Sequence, residues 1–304
     1  MSGSSRADSG RMTAWPALAP SGRCVQLGRR RGEIFVFDSG EPPVHGSPVC
    51  LIHGLGDEAD TWRHLAPLLA RRHRVVAPDL PGFGRSLPSG RVTLASCAET
   101  VLRLLRAVST GPSILVGSSV GAVVAELAAF RDPSLARALV FVDGGLPQAH
   151  GTVKPMLPMI IPFLGERIYT ALRADHDAAW ASLLPYYADL GALPEVDRQF
   201  LRGRVIDRVE SDTQRRAYFS LLRSLVLWGS LRPGYFRRNA AAWRKPLLLA
   251  WGAEDRIIPR ATADMIAALV PHARKAVIPG SGHLPQQERP RELAEEIESF
   301  ISSL

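Results

Sequence analysis

The sequence predicts an α/β fold: a mostly parallel β-sheet covered by helices on both faces, with a helical insertion. Three observations carry this. Short apolar runs rich in β-formers alternate with helical patterns on either side of a middle stretch where the alternation stops. Residues 112–128 read as strand, tight turn and helix around Gly117-Ser118-Ser119-Val120-Gly121. His53, Asp79, Ser119, Asp143, Asp255 and His283 each stand just past an apolar run, where open parallel sheets gather ligands.

Taken in order, residues 1–23 are rich in Ser, Gly, Ala and Pro and are expected to be disordered. Val25–Leu27 and Glu33–Phe37 read as a hairpin whose loop carries Arg29, Arg30 and Arg31. Pro48–Ile52 is a buried strand ending at His53-Gly54-Leu55-Gly56-Asp57. Trp62, Leu65, Leu68 and Leu69 then mark one face of a helix. Arg74–Pro78 is a strand leading into Asp79-Leu80-Pro81-Gly82-Phe83-Gly84-Arg85-Ser86, a loop dense in turn formers. Leu94, Cys97, Val101 and Leu105 keep helical register over Thr93–Val108. The strand–turn–helix follows, and then the strand Ala138–Val142.

Residues 146–242 are helical and aromatic. Ser211 and Gln214 form a capping-box pattern, and Tyr218, Leu221, Leu222 and Leu225 make an apolar stripe after it. The stripe fits either a small core of its own or a lid lining an apolar pocket. The alternation resumes with the strand Pro246–Ala250, a helix with Met265, Ile266, Leu269 and Val270 inside, the strand Lys275–Ile278, and a final helix opened by Pro290. Residues 24–145 and 243–304 therefore form one core domain, with 146–242 as a helical cap.

At 304 residues and 46% apolar content the chain can bury a sizeable core. Its three cysteines, Cys24, Cys50 and Cys97, have no metal or disulfide spacing, so no metal site is expected and a reducing, cytoplasmic setting fits. The formal charge of +8 comes with arginine runs that lack interleaved aromatics or a binding module, so nucleic acid is not expected as a partner. No apolar run reaches the length of a membrane span.

The chemistry-bearing residues form a set. A serine hydroxyl attacks only when a base takes its proton. His283 is suited to that near neutral pH, and Asp255 would hold its imidazole in the required tautomer. Each has an ordinary reading alone: a turn serine, a helix-capping aspartate, a loop histidine. Their order and shared placement past strand ends favour the functional reading. Glu254 and Asp143 compete for the acid role, and Asp255 is preferred. The N–H groups of Val120 and Leu55 are the expected donors to a developing oxyanion, and His53 is read as structural.

With His53-Gly54-Leu55-Gly56, Asp79 through Ser86, Gly117-Ser118-Ser119-Val120-Gly121, Gly252-Ala253-Glu254-Asp255 and Gly282-His283, the chain resembles the α/β-hydrolase superfamily over about residues 25–304. The resemblance implies an eight-stranded sheet, no cofactor and hydrolysis through an acyl-enzyme. A serine nucleophile sets the chain apart from the aspartate-using haloalkane dehalogenases and epoxide hydrolases. Ser118 stands where relatives most often carry His, Asn or Gln, and the loop typical of proline iminopeptidases is absent. The expected function is hydrolysis of a small-molecule carboxylic ester with an apolar part. The alternatives are a carbon–carbon bond hydrolase, a thioesterase, a perhydrolase, or a slow-turnover ligand receptor on the same triad.

Overall fold

The computed structural model describes residues 14–27, 33–40, 46–88, 90–108, 111–145 and 158–304. Eight strands form one sheet: β1 (Gly22–Gln26), β2 (Glu33–Asp38), β3 (Val49–Ile52), β4 (Val75–Pro78), β5 (Ser113–Ser118), β6 (Ala136–Val142), β7 (Leu247–Gly252) and β8 (Arg274–Ile278). Their spatial order is β1-β2-β4-β3-β5-β6-β7-β8. β1 and β2 pair antiparallel, as do β2 and β4; every other pairing is parallel.

Side chains alternate across a strand, and the central strands use both faces. Cys50, Ile52, Leu115, Leu249 and Trp251 pack to one side; Val49, Leu51, Ile114, Val116, Leu248 and Ala250 pack to the other. The first side is covered by α2 (Leu94–Val108) and α3 (Val120–Arg131). The second is covered by α1 (Leu65–Leu69) and, at the end of the chain, α11 (Pro290–Ile301). Leu293, Ile297 and Phe300 dock α11, each nearly fully buried and each contributing roughly 2 kcal/mol of apolar burial. α3 is buried on every side, Val120–Ala129 throughout, and is accordingly apolar apart from Glu126.

Between β6 and β7 lie the inserted helices α4 (Leu164–Ala174), α5 (His176–Ala181), α6 (Glu195–Glu210), α7 (Asp212–Leu231) and α8 (Pro233–Ala242). The Ser211 hydroxyl accepts from the Gln214 N–H at 3.2 Å, capping α7. The α7 stripe does two things. Ala217 and Leu221 join the core on the α2 side of the sheet, while Phe219 packs with Tyr169, Ala179, Val205 and Val209 in a small core of the insertion. Ser220 and Ser224 fasten α7 to the segment before α2, donating to Val92 O and accepting from the Leu94 N–H. α9 (Ala261–Leu269) follows β7, and α10 (Pro285–Glu288) follows β8.

Two expectations change. Residues 14–23 are ordered, not disordered: β1 starts at Gly22, Trp15 stacks edge-on against His64 and Phe200, and its N–H donates to Asp60 Oδ1 at 2.7 Å. Composition missed this because Trp15 and the buried Leu18 anchor the segment and offset its ordering entropy. Met265 is 45% exposed, because α9 turns Ala263 and Ile266, with the partly buried Ala267 and Leu269, to the core instead. The Arg29–Arg31 loop, residues 1–13 and the first residues of the expected cap, 146–157, lie outside the described residues. No helix among the described residues is long and apolar enough to cross a membrane.

Candidate active site

The carboxyl ends of β3, β5, β6, β7 and β8 deliver His53, Ser119, Asp143, Asp255 and His283 to one edge of the sheet. The turn at Ser119 is tight enough to force φ +55° on a non-glycine residue. The residues two positions before and after it must be glycine. A Cβ on Gly117 would lie 2.4 Å from the Ala122 nitrogen, and one on Gly121 would lie 2.1 Å from Ile52 O. The main chain bonds Ser119 N–H to Val142 O at 2.9 Å, which ties the turn to β6. Ser119 stays partly exposed in an otherwise buried segment.

The loop after β3 passes beside the serine. A Cβ built on Gly54 would stand 3.3 Å from Ser119 Cβ. The N–H groups of Leu55 and Val120 have no acceptor among the described residues. His53 beneath them is committed elsewhere. Its Nδ1–H donates to Gly54 O and its Nε2 accepts from the Leu80 N–H, both at 2.8 Å. Burial lowers its pKa, only partly opposed by the Asp57 and Asp79 charges. The ring is a neutral brace.

Below it, Asp79 is fully buried and accepts from Ala59 N–H, Arg85 N–H and the Arg85 guanidinium at 2.8–3.0 Å. Arg85 also bridges to Asp60. Gly84 has φ +52°, and a Cβ there would lie 2.4 Å from Asp79 Oδ2. The Asp79–Ser86 motif therefore shapes the His53 loop.

His283 and Asp255 are brought together. His283 Nδ1 and Asp255 Oδ2 are 2.9 Å apart, with side chains 2% and 0% exposed. Asp255 Oδ1 accepts from the N–H groups of Ile257 and Ile258 at 2.7 and 3.0 Å. Burial works against ionisation of Asp255, but the His283 bond and charge, helped by these amides, outweigh it and hold the carboxyl below its ordinary 3.8. With Nδ1–H engaged, His283 Nε2 is left as a lone-pair acceptor. It is buried and makes no hydrogen bond with any described residue, so in this state it is not bonded to Ser119 Oγ. Glu254 is exposed and turned away.

Residues without a sequence signal support the His283 loop. Gln286 Nε2 donates to Ser118 Oγ and to Thr61 Oγ1, both at 3.2 Å, which links the residue before Ser119 to the helix after His283. Gln287 extends this to Thr61, Tyr187 and the buried Arg63. Arg63 in turn pairs with Asp197 on α6 at 2.6 Å. Tyr186 packs its ring 5.8 Å from that of His283 and accepts the His283 N–H on its carbonyl at 2.8 Å. Tyr218 of α7 lies over Gly56, its ring 3.1 Å from where a Cβ would be. The insertion thus touches both the histidine and the loop beside the serine.

Comparison with known proteins places the chain in a family. The model of the alpha/beta hydrolase fold family matches residues 47–290. The pimeloyl-[acyl-carrier protein] methyl ester esterase of Edwardsiella ictaluri is 32% identical over 237 residues, covering 77% of this chain and 85% of its own. The uncharacterized hydrolase YugF of Bacillus subtilis is 27% identical over 271 residues, covering 87% of this chain and 93% of its own. Among solved structures, Cfl2 of Burkholderia cenocepacia superposes with a TM-score of 0.78 at 23% identity, over 92% of this chain and 95% of that one. A family model that matches most of the chain means that this protein belongs to the α/β-hydrolase fold family.

Proposed function

We propose that the protein is a serine hydrolase of carboxylic esters, with Ser119 as nucleophile, His283 as general base and acid, and Asp255 as the acid that orients it. The observation that carries this is the His283–Asp255 pair. The buried 2.9 Å bond fixes the tautomer whose Nε2 accepts a proton, on the same sheet edge as a serine in a strained turn. Ser119 Oγ attacks the ester carbonyl and its proton passes to His283 Nε2. The carbonyl oxygen, now negative, is received by the Leu55 and Val120 N–H groups. The proton then goes to the leaving alcohol, and water repeats the sequence on the acyl-enzyme.

Esters are favoured because a relative at 32% identity is a methyl ester esterase, and because this machinery suffices for them. The inserted helices act as a cap, and the Tyr186 and Tyr218 rings present aromatic surface to an apolar part of the substrate. The cytoplasmic location read from the cysteine count belongs to the same proposal.

Turnover of a p-nitrophenyl ester chain-length series tests the reading, with Ser119→Ala as control. Multiple turnovers that vanish in Ser119→Ala support it. A single stoichiometric burst would favour a ligand receptor, and unchanged hydrolysis by Ser119→Ala would remove the serine from the mechanism.

A further inference from the structure

A second carboxyl reaches this cluster, and the mechanism above does not use it. Asp143 stands at the end of β6 with φ +49°. Its main chain is pinned: the N–H donates to Ala250 O at 3.1 Å, and the next residue, Gly144, has no room for a Cβ, which would lie 2.3 Å from Ser119 O. The side chain is 0% exposed. Oδ1 accepts from the Gly252 N–H at 2.9 Å, while Oδ2 is buried and receives no donor. One oxygen of Asp143, one of Asp255 and a ring nitrogen of His283 lie within 4.8 Å of one another.

Two charged carboxylates that close in a dry site repel strongly, and a single shared proton removes the repulsion. The donors say where it sits. Asp255 is surrounded by three, from His283, Ile257 and Ile258, and Asp143 by one. The proton belongs on the carboxyl with fewer donors, and Oδ2 is the oxygen that lacks a partner. We propose that Asp143 is a positioning residue, a neutral acid whose Oδ2–H donates to the Asp255 carboxylate and so keeps Asp255 ionised against His283.

Burial, followed by the Asp255 charge, pushes the Asp143 carboxyl well above its ordinary 3.8. The titratable groups facing it are Asp255 after β7, His283 after β8 and Glu288 on α10. No proton leaves Asp143 during turnover. The Ser119 proton moves to His283 Nε2 and on to the leaving group, while the Asp143 O–H and His283 Nδ1–H remain hydrogen bonds to one carboxylate.

This inference rests on the serine-hydrolase reading, and three measurements on the full chain separate the two. An amide at 143 can keep both bonds, accepting from Gly252 and donating to Asp255. Asp143→Ala should lower kcat/KM by about 100-fold, and Asp143→Asn should recover all but about 5-fold of it, with the acid limb of its pH profile where the wild type has it. An isotope-edited infrared difference between wild type and Asp143→Asn at pH 7 should show a protonated carboxyl. Three results would overturn the proposal: an Asp143→Asn loss as deep as that of Asp143→Ala, an acid limb displaced downward by about one pH unit as a negative charge is lost, or no protonated carboxyl band. The infrared result does not depend on turnover, so it decides Asp143 even if Asp143→Ala fails to fold or Ser119→Ala remains active.

Discussion

Replacing Asp255 by asparagine changes one oxygen to an amide, and the structure says which way that amide turns. Asp255 Oδ1 faces two N–H donors, those of Ile257 and Ile258, whereas Oδ2 faces one, His283 Nδ1–H. The asparagine oxygen is therefore kept toward the two backbone amides, and its NH2 is directed at His283. Turning it around would leave two buried donors facing a donor, which costs about 2 kcal/mol or more. His283 responds by placing its hydrogen on Nε2, the atom that must accept the serine proton. The variant also lacks the charge that stabilises the imidazolium, a hydrogen bond to an ion contributing about 2 kcal/mol. Together these raise the barrier by about 4–5 kcal/mol, or roughly 1,000-fold in kcat at 1.36 kcal/mol per decade. Steady-state kinetics on a p-nitrophenyl ester, with circular dichroism to confirm the fold, measures it. Asp255→Asn retaining more than about a tenth of wild-type kcat would refute the reasoning.

Other consequences concern the frame around the site. Gly121→Ala drives a methyl to within 2.1 Å of Ile52 O and 2.5 Å of His53 O, both backbone, so the β5–α3 turn has to shift. We expect a loss of at least about 3 kcal/mol by urea denaturation, or no folded protein. Arg85→Met strips Asp79 and Asp60, 0% and 1% exposed, of their cation. A loss of about 3–5 kcal/mol is expected in the same assay. Glu58 supplies a pH dependence. Burial outweighs the Arg208 charge, whose contacts to Asp57 and Glu58 are all 3.4 Å, and pushes the Glu58 carboxyl from 4.5 to about 7. The folded chain holds that proton more tightly than the unfolded one, so this contribution is full below 4.5 and is lost as pH rises to about 7. Glu58→Gln should flatten the decline in unfolding free energy across that window; an identical decline in both proteins would assign it to another group.

What could be read in the chain was local. A run such as Ile114-Leu115-Val116 declares a strand buried on both faces, and the two glycines flanking Ser118-Ser119-Val120 declare a crossing too close for side chains. The Leu94, Cys97, Val101 and Leu105 register declares the buried face of α2. What escaped was tertiary. Gln286 and Gln287 are ordinary polar residues after Pro285 until the fold sets them beneath Ser118, Thr61 and Arg63. Trp15 is a lone aromatic in a Ser/Gly/Ala/Pro-rich tail until α6 offers Phe200. Asp143 reads as a rival to Asp255, since sequence order cannot count hydrogen-bond donors. Three donors surround one carboxyl and one reaches the other, and only folded geometry shows that difference.

The central claim is that Ser119 is the activated nucleophile of this fold. Labelling the full chain with a fluorophosphonate and mapping the adduct by peptide mass spectrometry tests it most directly. A single adduct on Ser119 is expected, formed at a rate that collapses when His283 is changed to alanine. An adduct on another residue, or a Ser119 that stays unlabelled while the protein turns over esters, would contradict it.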